Sequence, residues 1–265
     1  MKIITSTAVV ALLAITACAA PEEVAAAELA ASIELDIAEN TAGDYAATKT
    51  FGLDVTGVGD AFAGIEVDVN SSKVIVVDEW HVGMTAAAGT VSLGKQGNVW
   101  LDAPSAAAHN TIADPALGES IQVTVGAASV GIGFDDIETN MGKIDNLQGM
   151  YTADVGIVSV TGAVDYNMDT EKWTTGARLG AEVGGYASGV AMTYAADAWA
   201  YEADATVFGI TAYLNGTETN EFQHIGGKYV VPLGGEESGA TVETSVNYDL
   251  DDEDISPALN LTFAF

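Results

Sequence analysis

The sequence is poor in the features that staple a fold, cleave a bond or bind phosphate. Of its 265 residues only Cys18 is a cysteine, so the chain beyond it has neither disulfide nor thiol chemistry. Proline is scarce, at five, which removes a common interruption of strands. Basic residues number 8 against 38 acidic ones, for a formal net charge of −30. Such a surface repels nucleic acid and anionic headgroups and attracts cations. No segment reaches the ~18 consecutive apolar residues of a transmembrane helix. There is no Gly-x-Ser-x-Gly elbow, His-Glu-x-x-His, glycine-rich phosphate loop or Cys-x-x-Cys. His81, His109 and His224 lie far apart in the chain. Glu79 and His81 share one strand face, but a polar wall explains them better than an acid–base pair, and no enzyme activity is expected.

What the sequence has instead is alternation. Hydrophobic residues make up 49% and glycines number 29, with the acids set between apolar residues. Ile33, Leu35 and Ile37 alternate with Glu34 and Asp36; Phe51, Leu53 and Val55 alternate with Gly52, Asp54 and Thr56. Ile65, Val67 and Val69 alternate with Glu66, Asp68 and Asn70. These periods predict strands with one apolar and one polar face. Another runs from Lys73 to Met84, with Val74, Val76, Trp80, Val82 and Met84 on one parity and Asp78 breaking the face. Gly89 to Gln96 follows, then a long aperiodic stretch from Gly97 to Gly118. Later strands are expected over 120–127, 129–136, 147–154, 156–167, 173–183, 186–195, 199–207, 209–215, 222–232, 239–250 and 257–265. The total is about sixteen, within a range of roughly twelve to eighteen. Strands that alternate lipid-facing and lumen-facing residues in this way are those of a transmembrane barrel.

The connections carry the same message. Tight turns are expected at Gly57–Asp60, Ala86–Gly89, Ala127–Ser129, Asp154–Gly156 and Val183–Tyr186, and longer acidic loops at the intervening joints. At the N-terminus Lys2, the apolar run Ala8–Ile15 and Ala17-Cys18-Ala19 form a secretory signal over 1–19. A second cleavage point lies at Ala25–Ala27, so the barrel domain spans 28–265. Ile15-Thr16-Ala17-Cys18 also fits a lipoprotein signal, in which Cys18 is acylated.

Two stretches carry a resemblance. In the last strand Leu259, Leu261, Phe263 and Phe265 alternate with Asn260, Thr262 and Ala264, which resembles the terminal strand of Gram-negative outer-membrane porins. Gly89-Thr-Val-Ser-Leu-Gly-Lys-Gln96 resembles the Gly-Thr-Leu-x-Leu-Gly-Arg-Gln strand of the general porins, with Lys95 where arginine is usual. In that family this strand is the fifth, as it is by the count above, and the loop after it folds into the pore. The resemblance implies an all-β fold, a transmembrane antiparallel up-and-down β-barrel with an inward-folded loop after strand 5. It also implies a bacterial outer-membrane channel without cofactors, a homotrimer in lipid that passes small hydrophilic solutes and cations. The barrel-assembly machinery would recognise such a chain through Phe265.

Lumen parity nominates Glu34, Asp36, Asp54, Glu66, Asp68, Glu182, Glu202, Asp204 and Glu243 as pore-lining acids, whose field favours cations. Asp102, Asp114 and Glu119, in or beside the long loop, are candidates for the acidic side of a constriction. Porins line the opposite wall with clustered arginine, whereas this chain has one. The available basic wall is Lys95, Arg178 and Lys228. Alternation from Val91 and Leu93 turns Lys95 towards lipid unless Gly94 is bulged or Lys95 sits at the rim. Trp80, Trp100, Trp173 and Trp199 are expected in interfacial girdles. The acidic run Asp249–Asp254 lacks the glycine and spacing of an EF-hand loop; it reads as a solvated outer loop, and no metal is expected. Two rival architectures remain: an acidic β-rich envelope lipoprotein folded as a soluble sandwich, and a plugged barrel with a structural or adhesion role.

Overall fold

The computed structural model describes residues 28–39, 45–58, 60–69, 75–101, 113, 115–134, 143–219, 222–233 and 240–264. The signal segment, Cys18, His109 and Phe265 lie outside them. Sixteen strands follow in order: β1 (Glu28–Glu39), β2 (Tyr45–Val58), β3 (Ala61–Val69), β4 (Ile75–Ala86), β5 (Gly89–Lys95), β6 (Glu119–Val125), β7 (Ala128–Phe134) and β8 (Ile144–Val155). Then come β9 (Val158–Asn167), β10 (Lys172–Val183), β11 (Tyr186–Ala195), β12 (Ala198–Val207), β13 (Ile210–Thr217), β14 (His224–Leu233), β15 (Ala240–Asp249) and β16 (Asp254–Ala264). Each pairs antiparallel with its chain neighbours, and β1 pairs with β16 from Ser32↔Ala264 to Ala38↔Ala258, closing the barrel. Closure removes both sheet edges and satisfies the backbone within the sheet, as a lipid-spanning structure requires. The strand count and the position of Gly89–Lys95 as the fifth strand agree with the alternation in the sequence.

One rim carries the short turns, except that six residues, 234–239, separate β14 from β15. β10 and β11 join through Gly184-Gly185, whose φ values of 59° and 84° are the left-handed pair that a type I′ hairpin demands. The other rim carries the loops, except that β11 and β12 meet at Ala196-Asp197 with φ of 51° and 66°. This is the same turn without glycine.

Asp78 has its explanation in the register of β3 and β4. Glu66 pairs with Glu79 but Val67 pairs with Val77, so Asp78 is the extra residue of a β-bulge. The parity of β4 flips there. Trp80 and Val82 stand opposite Ile65 and Ala63, whereas Val76 stands opposite Asp68. The expectation that Val76 shares a face with Trp80 is therefore corrected.

One barrel face is an apolar belt open to its surroundings. Val160, Leu179, Val190, Ile210 and Val246 on this face are each between 40% and 56% exposed, more contiguous apolar surface than a water-soluble monomer leaves bare. Aromatic pairs bound the belt: Tyr166–Trp173 and Tyr194–Trp199 at the loop end, with ring centroids 4.6 and 4.8 Å apart, and Tyr186–Phe208 at the turn end, 5.6 Å apart. Tyr186 to Tyr194 spans ~27 Å along β11. At a strand tilt of about 40° that is roughly 20 Å along the barrel axis, close to the apolar band of an outer-membrane barrel. Val190→Arg is expected to weaken folding into lipid vesicles by about 2–4 kcal/mol, measured by urea titration, while Thr241→Arg on the opposite face costs far less.

Candidate functional site

The loop between β5 and β6 defines the inside of the barrel. Gln148 on β8 holds both its limbs: Oε1 accepts from Val99 N–H at 3.0 Å, and Nε2 donates to the Pro115 carbonyl at 2.6 Å. Asn146 Nδ2 donates to the Ala116 carbonyl at 2.8 Å, and Gln122 Nε2 to the Gly97 carbonyl at 2.6 Å. On β11, Thr193 Oγ1 accepts from Ala113 N–H at 3.0 Å. Trp100 Nε1–H donates to the Ala113 carbonyl at 2.6 Å, tying the two limbs to each other. Trp100 and Leu101 bury themselves against Ala163 of β9 and Met150 of β8. Glycines on the wall make the seat, since a Cβ at Gly131 or Gly133 would strike Leu117 and one at Gly176 would strike Leu101. A segment that touches every strand from β6 to β11 lies on the concave side, so the loop folds inward and the polar parity faces the lumen. Trp100 is accordingly not a girdle residue; it is packed inside the barrel.

With the lumen face fixed, the predicted residues can be placed. On β2–β4 it carries Asp54, Glu66, Asp68, Glu79 and His81. Glu66 and Glu79 are directly opposed across the ladder, an arrangement of like charges that costs stability. The Thr50 hydroxyl donates to Asp68 at 2.5 Å, and His81 lies against Asp54 over Gly64, where no Cβ fits. No lysine or arginine occupies a described lumen position on β2–β4. Glu34 and Asp36 hold ladder positions between Thr50 and Thr262 and between Thr48 and Asn260.

On the other side the lumen face carries Arg178, Glu182, Glu202, Asp204, Lys228 and Glu243. Arg178 pairs with Asp204 at 2.5 Å. Glu202 is fully buried, beside Asn215 in the ladder. His224 has Asn215 Oδ1 at 3.0 Å and the Asp249 carboxylate at 3.1 Å, both acceptors. Lys95 is the departure. The register runs from Trp80 through Lys95 to Glu119 without a break, on the parity of Val91 and Leu93. Lys95 and Glu119 therefore stand at the rim on the outward parity, and neither belongs to the lumen wall. Asp102 and Asp114 lie outside the described residues. The basic wall is reduced to Arg178 and Lys228.

The two mouths differ. Beside the short turns, lumen positions are hydroxyl pairs: Thr85–Thr90, Thr124–Ser129, Thr152–Thr161 and Thr206–Thr211. The loop rim is acidic. There Lys143 Nζ donates to Asp169 at 3.0 Å, which holds that carboxyl below its usual range. Asp249 Oδ1 accepts from the N–H groups of Asp251 and Asp252 at 2.8 and 3.1 Å, folding the β15–β16 connection. Among the described residues no group of three or more His, Cys, Asp or Glu is placed to hold a metal. The loop anchors Gln148, Asn146 and Thr193 escaped the sequence reading, because alternation marks them only as polar wall residues.

No protein-family model matches the sequence, and no curated protein does. Solved structures are similar in fold. A fivefold mutant of the Rh. blastica porin superposes with a TM-score of 0.65 at 10% identity, over 90% of this chain and 100% of that one. A threefold mutant of the same porin gives 0.64 at 11% identity with the same coverage. A loop-deletion mutant of OmpT, an outer membrane protein of Vibrio cholerae, gives 0.56 at 12% identity, over 92% of this chain and 100% of that one. At these identities the likeness establishes the architecture: this is a porin-type barrel.

Proposed function

We propose that the protein is an outer-membrane diffusion channel that passes small hydrophilic solutes and prefers cations. The observation that carries this reading is a closed sixteen-stranded barrel, apolar and open to its surroundings outside, polar and charged inside, with one loop seated in the lumen. A barrel of this size encloses an aqueous passage. Size selection comes from the seated loop, and charge selection from the acids of β2–β4, whose field is undiluted by any lysine or arginine at a described lumen position of those strands. No covalent step is needed. A homotrimer belongs to the same reading: the seven-residue strands β5–β7 are the lowest stretch of wall, and a second copy would pack over them.

Proteoliposome swelling tests the open passage. Vesicles carrying the protein are expected to swell fast in small sugars and progressively more slowly as sugar size rises. Swelling no faster than in protein-free vesicles would favour the plugged barrel.

A further inference from the structure

At the turn ends of β8–β9 and β10–β11 the lumen positions carry acids. There Asp154 stands opposite Ser159, and Glu182 opposite Ala187. Between β8 and β12 the wall recedes into a hollow of about 490 Å³, within the usual range of small-molecule sites. It begins just beyond the seat of the inward loop, since Arg178 follows Gly176, which receives Leu101, by two residues. Gly180 lies in its wall with Ala181, Ala187 and Ser188; Gly189, opposite Gly180 in the ladder, is covered by Arg178. Its ionisable lining is Asp154, Arg178, Glu182 and Asp204; three carboxylates against one guanidinium leave a formal charge of −2.

Arg178 displays how this wall receives an organic cation. Its guanidinium lies over Gly189, in space a Cβ would occupy, and pairs with Asp204. The pairing engages Nη2, while Nη1 is buried without a hydrogen-bond partner; the surplus of carboxylates is what disfavours an anionic guest. Asp154 and Glu182 are exposed and have no basic partner among the described residues. With the Ser159 hydroxyl they offer acceptors at two sides of a space lined by glycine and alanine.

We infer that this hollow is a binding station for small aliphatic diamines, separate from the acidic wall of β2–β4. One ammonium, with three donors, meets Asp154 and Ser159, the other meets Glu182, and the methylenes cross the space beside Gly180 and Ala187 between them. The inference rests on the proposed diffusion channel, in which solutes pass this wall; it names a solute class that pauses there.

Calorimetric titration of 1,4-diaminobutane into the detergent-folded protein at low salt tests the station without requiring conduction. One saturable site is expected. Asp154→Asn with Glu182→Gln is expected to weaken it by ~tenfold or more, equivalent to about 1.4 kcal/mol. Neither side chain makes a bond that holds the wall. Glu66→Gln with Glu79→Gln, the same charge change on β3 and β4, is expected to leave it unchanged. Arg178→Gln is expected to tighten it by releasing Asp204. Equal weakening by both double variants would overturn the station in favour of a diffuse field, as would wild-type binding after Asp154 and Glu182 are neutralised. A channel that conducts without binding the diamine sinks this inference alone, whereas binding without conductance sinks the channel and keeps the site.

Discussion

Replacing Asp54, Glu66, Asp68 and Glu79 by their amides is expected to remove most of the cation preference. In a KCl gradient the reversal potential should move towards zero, with the cation-to-anion permeability ratio falling about tenfold. Position gives these four acids their weight. All four lie on the lumen parity of three adjacent strands, and no described lysine or arginine shares that sector. Arg178 is tied to Asp204 on β12, so it does not offset the field of β2–β4. The same variant should fold more stably, because removing the opposed Glu66/Glu79 pair relieves repulsion of roughly 0.2–1 kcal/mol. An unchanged reversal potential in a well-folded variant would remove these acids from the ion path.

Gln148→Leu is expected to have the second large effect, on the loop. One side chain accepts from Val99 N–H and donates to the Pro115 carbonyl, so its loss strands a buried donor and an acceptor. Each stranded group costs about 1–3 kcal/mol, enough to shift a loop held by a handful of such bonds. The channel should conduct more and flicker more between levels, while barrel melting changes little, because the ladder does not involve the side chain. Gln122→Ala, which removes one bond to the loop at Gly97 and one to Ser120 within β6, should do the same more weakly. Conductance and noise equal to wild type in Gln148→Leu would mean that the seated loop does not limit the passage.

Much of this fold was legible because a period of two assigns each residue to a face without knowledge of its neighbours. Leu259, Leu261 and Phe263 fall on the outward parity of β16, and their alternation alone said so. The loop after the fifth strand was legible from its length and lack of period. What could not be read depends on partners. Asp78 interrupts β4 because of where β3 slips register, and no residue in β4 encodes that slip by itself. Trp100 looked like an interfacial tryptophan, since a large aromatic at a strand end fits a girdle; its place under Ala163 is set by a strand 63 residues away. Gln148 is separated from Val99 by 49 residues, so its bond leaves no local mark. The same reasoning explains Lys95. Alternation placed it outward, and only the unbroken register with Trp80 and Glu119 decided between a bulge and the rim.

Single-channel current across a planar bilayer under a KCl gradient tests the central claim most directly. The account predicts stable conductance steps whose reversal potential lies on the potassium side. Well-folded protein that produces no steps would contradict the open barrel, and steps reversing on the chloride side would contradict the acidic filter.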